Sequence, residues 1–247
     1  MSQKNERLAF VVAFFLLVSL YVISQNIPLT TYPVPTPTSV PVEFQDRSFL
    51  TGEPCEAPCW YGLVPGISRQ DEALALLSSL HFIKTTSFTE TSIGSYNNST
   101  SRQESWTRFS ADCIYPEATT CVSLDFYQDR LRRVWLILNY SLSAGEVVSS
   151  LGAPDWIEAF PDGGAHQARW FVCHISMIWA EQKIVASYTE TNRDKALEVC
   201  FDILPAGGPL DPDSPVAYLS YVDFFLRTED IEGSGANWYP WPGFADD

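Results

Sequence analysis

Cys55, Cys59, Cys113, Cys121, Cys173 and Cys200 are the residues whose type and spacing most directly suggest chemistry. An even set of cysteines, all downstream of an apolar leader, suits disulfides formed in an oxidising compartment. Cys55 and Cys59 are spaced more widely than the Cys-x-x-Cys of redox enzymes, so they read as a staple at the start of the folded part. The expected pairs are Cys55 with Cys59, Cys113 with Cys121, and Cys173 with Cys200, because each joins sequence neighbours or strands expected to lie side by side. His81, His166 and His174 lack metal-ligand spacing, and the chain has no Gly-x-Ser-x-Gly, His-Glu-x-x-His or phosphate-loop pattern. His174 follows Cys173 directly, but no Asn or Asp partner is evident for a Cys-His nucleophile. Asp211, Asp213 and Ser214 could offer oxygens to calcium; without the Gly and Glu of a recognised loop they read as an acidic turn. No carboxylate pair stands out for acid-base work, and the sequence points to no catalytic residue, cofactor or metal.

The elements that must position these residues are most legible at Ser143–Asp155. Ser143 can cap a helix while Glu146 reaches back to the cap's own N–H. Val147, Val148 and Leu151 supply an apolar face, and Gly152 and Pro154 end the helix. The same grammar recurs at Ser68 and Asp71, ahead of a helix expected to run to about Leu80, which suggests a duplicated unit. Two hairpins reinforce the repeat. Val122–Phe126 and Leu131–Leu138 flank a turn at Gln128 and Asp129; Ile175–Trp179 and Ile184–Tyr188 flank one at Glu181 and Gln182, with Arg130 and Lys183 at equivalent turn exits. Period-two alternation puts Val122, Leu124 and Phe126 on one face, matched by Ile175, Met177 and Trp179. Further strands are expected at His81–Ile83, Trp156–Phe160, Ala168–Cys173, Leu197–Leu204 and Val216–Phe224, with a loop over Ser92–Ser101. Asn97, Asn98 and Asn139 head formal glycosylation sequons, which matter only in a eukaryotic secretory host.

Lys4 and Arg7 precede an apolar run from Leu8 to Ile23. It reads as an uncleaved membrane anchor or a signal peptide, with the basic flank keeping the N-terminus inside. No cysteine follows it where a lipoprotein would need one. Pro28, Pro33, Pro35, Pro37 and Pro41 make an extended stalk. The organisation expected is 1–26 anchor or signal, 27–43 stalk, 44–138 and 139–230 two helix-plus-sheet units, and 231–247 an aromatic tail. A net charge of -15 argues against nucleic acid or an anionic membrane surface as partner. In the tail, Trp238, Tyr239, Trp241 and Phe244 surround Pro240 and Pro242. Two readings stand: a segment lying along its own domain, or an aromatic platform for a sugar or a protein.

The text Ser-x-x-Glu-Val-x-x-x-Leu-Gly-x-Pro-Asp at Ser143–Asp155, followed by strands and a polar-turn hairpin, resembles the tandem helix-plus-sheet domains of β-lactamase inhibitor proteins and of outer-membrane-assembly lipoproteins. Pro58-Cys59-Trp60 followed by Pro65-Gly66 also looks like the opening of uncharacterised bacterial surface proteins. The resemblance implies an α+β fold in which helices pack on one face of an antiparallel sheet and the domain binds other proteins rather than catalysing a reaction. The expected function is therefore a membrane-tethered, single-pass extracytoplasmic domain that binds or scaffolds an envelope protein or glycan. The alternative is a secreted hydrolase of envelope polymers or glycans, and a ligand-free spacer is a third reading.

Overall fold

The computed structural model describes residues 40–97, 102–115, 119–162, 171–223 and 237–244. The leader, residues 27–39 of the stalk, Asn98 and His166 lie outside them. No described helix is long and apolar enough to cross a membrane. The strands are β1 (Thr89–Asn97), β2 (Arg102–Asp112), β3 (Thr120–Tyr127), β4 (Arg130–Ile137), β5 (Trp156–Asp162), β6 (Val172–Trp179), β7 (Ile184–Glu190), β8 (Tyr218–Val222) and β9 (Asn237–Pro240). They form one sheet in the order β1-β2-β3-β4-β8-β7-β6-β5-β9, with every neighbouring pair antiparallel. The β3–β4 turn holds Gln128 and Asp129 at φ 50° and 63°, the left-handed pair whose twist matches that of the flanking strands.

Cross-strand partners share a face of a sheet, so the register fixes what each face carries. Ala111, Val122, Leu136, Leu219, Ala186, Met177, Ile157 and Tyr239 form one unbroken row across eight strands. Leu124, Val134, Tyr221, Ile184 and Trp179 form a second row on the same face. Both rows join a single core cluster with the described helices. Those helices are α1 (Ser48–Thr51), α2 (Gln70–Leu77), α3 (Ala144–Leu151) and α4 (Arg193–Glu198), which bury Phe49, Ala73 and Leu77, Ala144 and Val147, and Ala196. Removing each such side chain from water contributes on the order of 2 kcal/mol, so this inner face dominates the stability.

The two helix-and-hairpin segments do not form two sheets; they are halves of one. Nor are they copies of one fold. Strands β3 and β6 point the same way and turn their apolar side chains to the same face, yet β4 lies on one side of β3 and β7 on the opposite side of β6. The halves are mirror-related in winding, which no rotation of a duplicated unit can produce. Their shared grammar reflects the same local physics solved twice. At α3 the capping box is present: Glu146 N donates to Ser143 Oγ at 3.2 Å and Ser143 N to Glu146 Oε2 at 2.9 Å. At α2 the cap falls one residue later than Ser68. Arg69 N donates to Glu72 Oε2 at 2.9 Å, while Ser68 Oγ accepts from Val64 N at 3.0 Å.

Three sequence expectations are corrected and a fourth is refined. Leu197–Leu204 is the end of α4 running into a π-helical turn, Val199–Ile203. Asn192 caps it, accepting from Asp194 N and Lys195 N at 3.1 and 3.3 Å, and Ala196, Cys200 and Leu204 recur at the four-residue spacing of a buried helix face. Ser92–Ser101 is strand up to Asn97, where β1 is an edge strand paired residue for residue with β2; residues 98–101 lie outside the described ones. His81–Ile83 is a turn with a single bridge from Ile83 to Cys113. The strand expected over Val216–Phe224 is β8, and it sits at the centre of the sheet.

The entry segment is held by Asp46. This buried carboxylate accepts from Trp60 Nε1 at 2.7 Å and Ser48 N at 3.0 Å, while the Asp46 carbonyl accepts from Tyr140 Oη at 2.6 Å. The cysteines form the three expected disulfides: Cys55–Cys59, Cys113–Cys121 and Cys173–Cys200. The last ties β6 to the π turn across 27 residues, the longest closed loop. Replacing Cys173 and Cys200 by alanine should lower the unfolding free energy by about 3 kcal/mol in chemical denaturation, more than removal of either shorter link; a smaller loss than for Cys55–Cys59 would contradict the ranking.

Candidate functional site

The register turns the alternate residues of each strand to the opposite face of the sheet, where Ser123, Asp125, Ile178, Ser187, Ser220 and Val222 at the centre are themselves buried. Across its middle, Ser110, Ser123, Trp135, Ser220, Val185, Ile178, Trp156 and Pro240 stand in one row. To one side run Arg108, Asp125, Arg133 and Val222. To the other run Ile137, Tyr218, Ser187, Ser176, Glu158 and Trp238. The face thus interleaves aromatic rings, hydroxyls and a few charges. Ile178 and Val222 are buried here, outside the main core cluster.

Asp125 organises one half. Only 3% exposed, it accepts a bidentate pair from Arg108, Nε at 2.6 Å and Nη2 at 2.8 Å, and a third bond from Trp135 Nε1 at 3.0 Å. Three donors satisfy a carboxylate that burial would otherwise penalise. The hydrogen bond to Asp125 raises the Arg108 pKa, whereas burial lowers that of Arg133. The Arg133 guanidinium lies 4.7 Å from the centre of the Trp135 ring, and Tyr218 meets the same indole edge-on at 6.0 Å. Trp135 is therefore gripped by a cation, a carboxylate and a second ring.

The other half centres on Glu158 and His174. Glu158 lies between Ser176 and Trp238, and burial pushes its carboxyl above the usual carboxylate range. His174 Nδ1 is 2.9 Å from Thr189 Oγ1, its Nε2 is 3.8 Å from Asp162, and its ring stacks on Phe160 at 6.5 Å. A hydroxyl, an imidazole and a carboxylate in line resemble a relay, but 3.8 Å is too long for a hydrogen bond. Phe160 is 61% exposed, an unusually open large ring.

Cys173 and His174 alternate to opposite faces of β6, and Cys173 is bridged to Cys200, so they form no nucleophile pair. His81 Nε2 lies 2.7 Å from the Glu43 carbonyl oxygen, far in the fold from His174. Asp211 Oδ1 accepts from Asp213 N at 2.9 Å, an ordinary acidic turn. Among the described residues, no group of three or more His, Cys, Asp or Glu is placed to hold a metal. The Asn139 side-chain amide is engaged by the Phe44 carbonyl at 3.3 Å and by that of Tyr115. The tail docks on its own domain: β9 pairs with β5, Leu210 N donates to the Gly243 carbonyl at 3.0 Å, and Trp241 meets Phe244 edge-on at 5.0 Å. Trp238 faces outward from β9 and Tyr239 inward. The sequence reading passed over Arg108, Asp125, Arg133, Trp135, Tyr218 and Glu158. The signal lay in the alternate positions of the same strands, read there only for their inward members.

Glu158 gives a pH test. Because its folded pKa is raised, the folded state holds the proton to higher pH than the unfolded chain, and the resulting stability is lost as pH rises through the folded value. Glu158→Gln should therefore gain stability relative to the parent at pH 7 but not at pH 4 in urea unfolding; an equal effect at both would contradict this setting.

No family model, no curated protein and no solved structure matches the chain, so the reading of function rests on this geometry.

Proposed function

We propose that the chain is a membrane-tethered extracytoplasmic binding module whose outer sheet face engages a partner protein. The observation that carries this reading is the composition of that face: Trp135, Trp156, Trp238, Tyr218 and the open Phe160, set among Arg108, Arg133 and small hydroxyl residues. Trp, Tyr and Arg are the residue types that dominate binding energy at protein interfaces, with smaller polar neighbours completing the seal. Charge supports the same choice. The chain carries -15 overall, yet the outward side chains of β2 to β5 set Arg108 and Arg133 against Asp125, Glu158 and Asp162. Such a balanced face suits a protein better than a polyanion. The three disulfides support an oxidising compartment, and the apolar run Leu8–Ile23 followed by the proline stalk supports a tether that lifts the sheet away from the bilayer.

Photo-crosslinkers introduced singly at Val185, Phe160 and Tyr218 of the full chain, expressed in its own host, should give one discrete adduct. The same probe at Glu72 or Ser150 on the helix side should give none. Phe160→Ala should weaken capture on the order of tenfold without lowering the melting temperature, since the ring is already in water. Adducts at Glu72 and Ser150 equal in yield to those on the outer face would overturn the proposal.

A further inference from the structure

A second concavity lies on the helix side of the sheet, away from the outer face. It is a cleft of ≈ 250 Å³ between the inner ends of β6 and β7, the π turn and the Pro209–Pro212 loop. Val199, Ile203 and Leu210 give it an apolar floor, and Glu190, Glu198 and Asp211 place three carboxylates at its rim against the single ammonium of Lys195. At about 30 Å³ per water-sized group, this volume is close to that of one long side chain and too small for a folded element. We infer that the cleft receives a single arginine side chain of a partner protein, the methylene stem on the apolar floor and the guanidinium among the rim carboxylates.

The cleft is built to keep its shape. Gly208 N donates to the Ile203 carbonyl at 2.7 Å, and a Cβ on Gly208 would stand 3.0 Å from Ile203 Cγ2, so a larger residue would press the loop off the π turn. The far end of the loop is pinned by the first turn of α3, where Gly145 N donates to the Pro212 carbonyl at 2.8 Å and Ala144 N to that of Ser214 at 2.9 Å. The tail holds the middle through the bond from Leu210 N to Gly243. The rim carboxylates are oriented too: Glu190 Oε1 accepts from Asn192 N at 2.7 Å and Asp211 Oδ1 from Asp213 N at 2.9 Å, which leaves the second oxygen of each for a ligand. Tyr188 in the wall registers the negative field: burial raises its pKa, and the charges of Asp211 and Glu190 add to that rise. The π turn itself, a geometry concentrated at functional sites, is what turns both Val199 and Ile203 to the cleft. A guanidinium fits such a rim better than an ammonium, because its planar fork can bridge two carboxylates at once.

The test is titration of the full chain with Nα-acetyl-arginine methylamide, followed by the methyl resonances of Val199, Ile203 and Leu210. Saturable shifts are expected, weakening severalfold as salt rises from roughly 0.05 to 0.5 M, while the uncharged citrulline analogue should leave the same methyls unmoved. Glu190→Gln combined with Asp211→Asn should reduce affinity at least fivefold. Lys195→Gln, which removes the competing cation, should increase it by a similar factor; this second variant keeps the test decisive if the double substitution perturbs folding. Arginine derivative that produces no cleft shifts, citrulline that binds as well, or affinity indifferent to both variants would overturn the inference. The readout lies on the helix side, so its failure leaves the outer-face proposal untouched, and failure of that proposal leaves this one standing.

Discussion

Everything in this fold depends on one constraint: a single face of a nine-stranded antiparallel sheet must be apolar from Ala111 to Tyr239 without interruption. β8 meets that constraint. It arrives eighth in the chain yet lies between β4 and β7, where Leu219 pairs with both Leu136 and Ala186, and Tyr221 with both Val134 and Ile184. Without it, two meanders would each expose a long inner edge, the kind of unpaired strand that invites misassembly. With it, the helices α2, α3 and α4 find one continuous surface.

That division of labour separates the two surfaces. On the inner side, helix ends and loops create a cleft with Glu190, Glu198, Asp211 and Lys195 in its lining. On the outer side, aromatic and arginine side chains are held at the spacings that the strand register sets. Trp135 illustrates the result: carboxylate, guanidinium and neighbouring ring each limit its rotamers. A pre-ordered ring loses little entropy when a partner covers it, which favours recognition by a rigid face.

Much of the fold is legible in the sequence because its signals are local. Ser143 and Glu146 specify a cap within one turn, and the alternation of Val122, Leu124 and Phe126 specifies a strand within one element. The cysteine pairs follow from short separations. What escapes is set by distance. Nothing near Val216–Val222 distinguishes a central strand from an edge strand, because β8's neighbours lie about 80 and 30 residues upstream (Leu219 against Leu136 and Ala186). The mirror winding of the halves is equally silent, since capping boxes and polar turns carry no handedness of strand order. Leu197–Leu204 has the apolar content of a strand, but the buried Ala196, Cys200 and Leu204 follow helical spacing. The outer face was overlooked because Trp135, Tyr218 and Glu158 are distant in sequence and only the register gathers them.

The central claim is that β8 zips both halves into one cooperative sheet. Native-state amide hydrogen exchange on the full chain tests it most directly. The account predicts that the amides of Leu219 and Tyr221 exchange only through global unfolding, with the same free energy and denaturant dependence as those of Leu136 in β4 and Ala186 in β7. Exchange of β8 through a lower-energy opening, with β2–β4 and β5–β7 protected as two independent units, would contradict it.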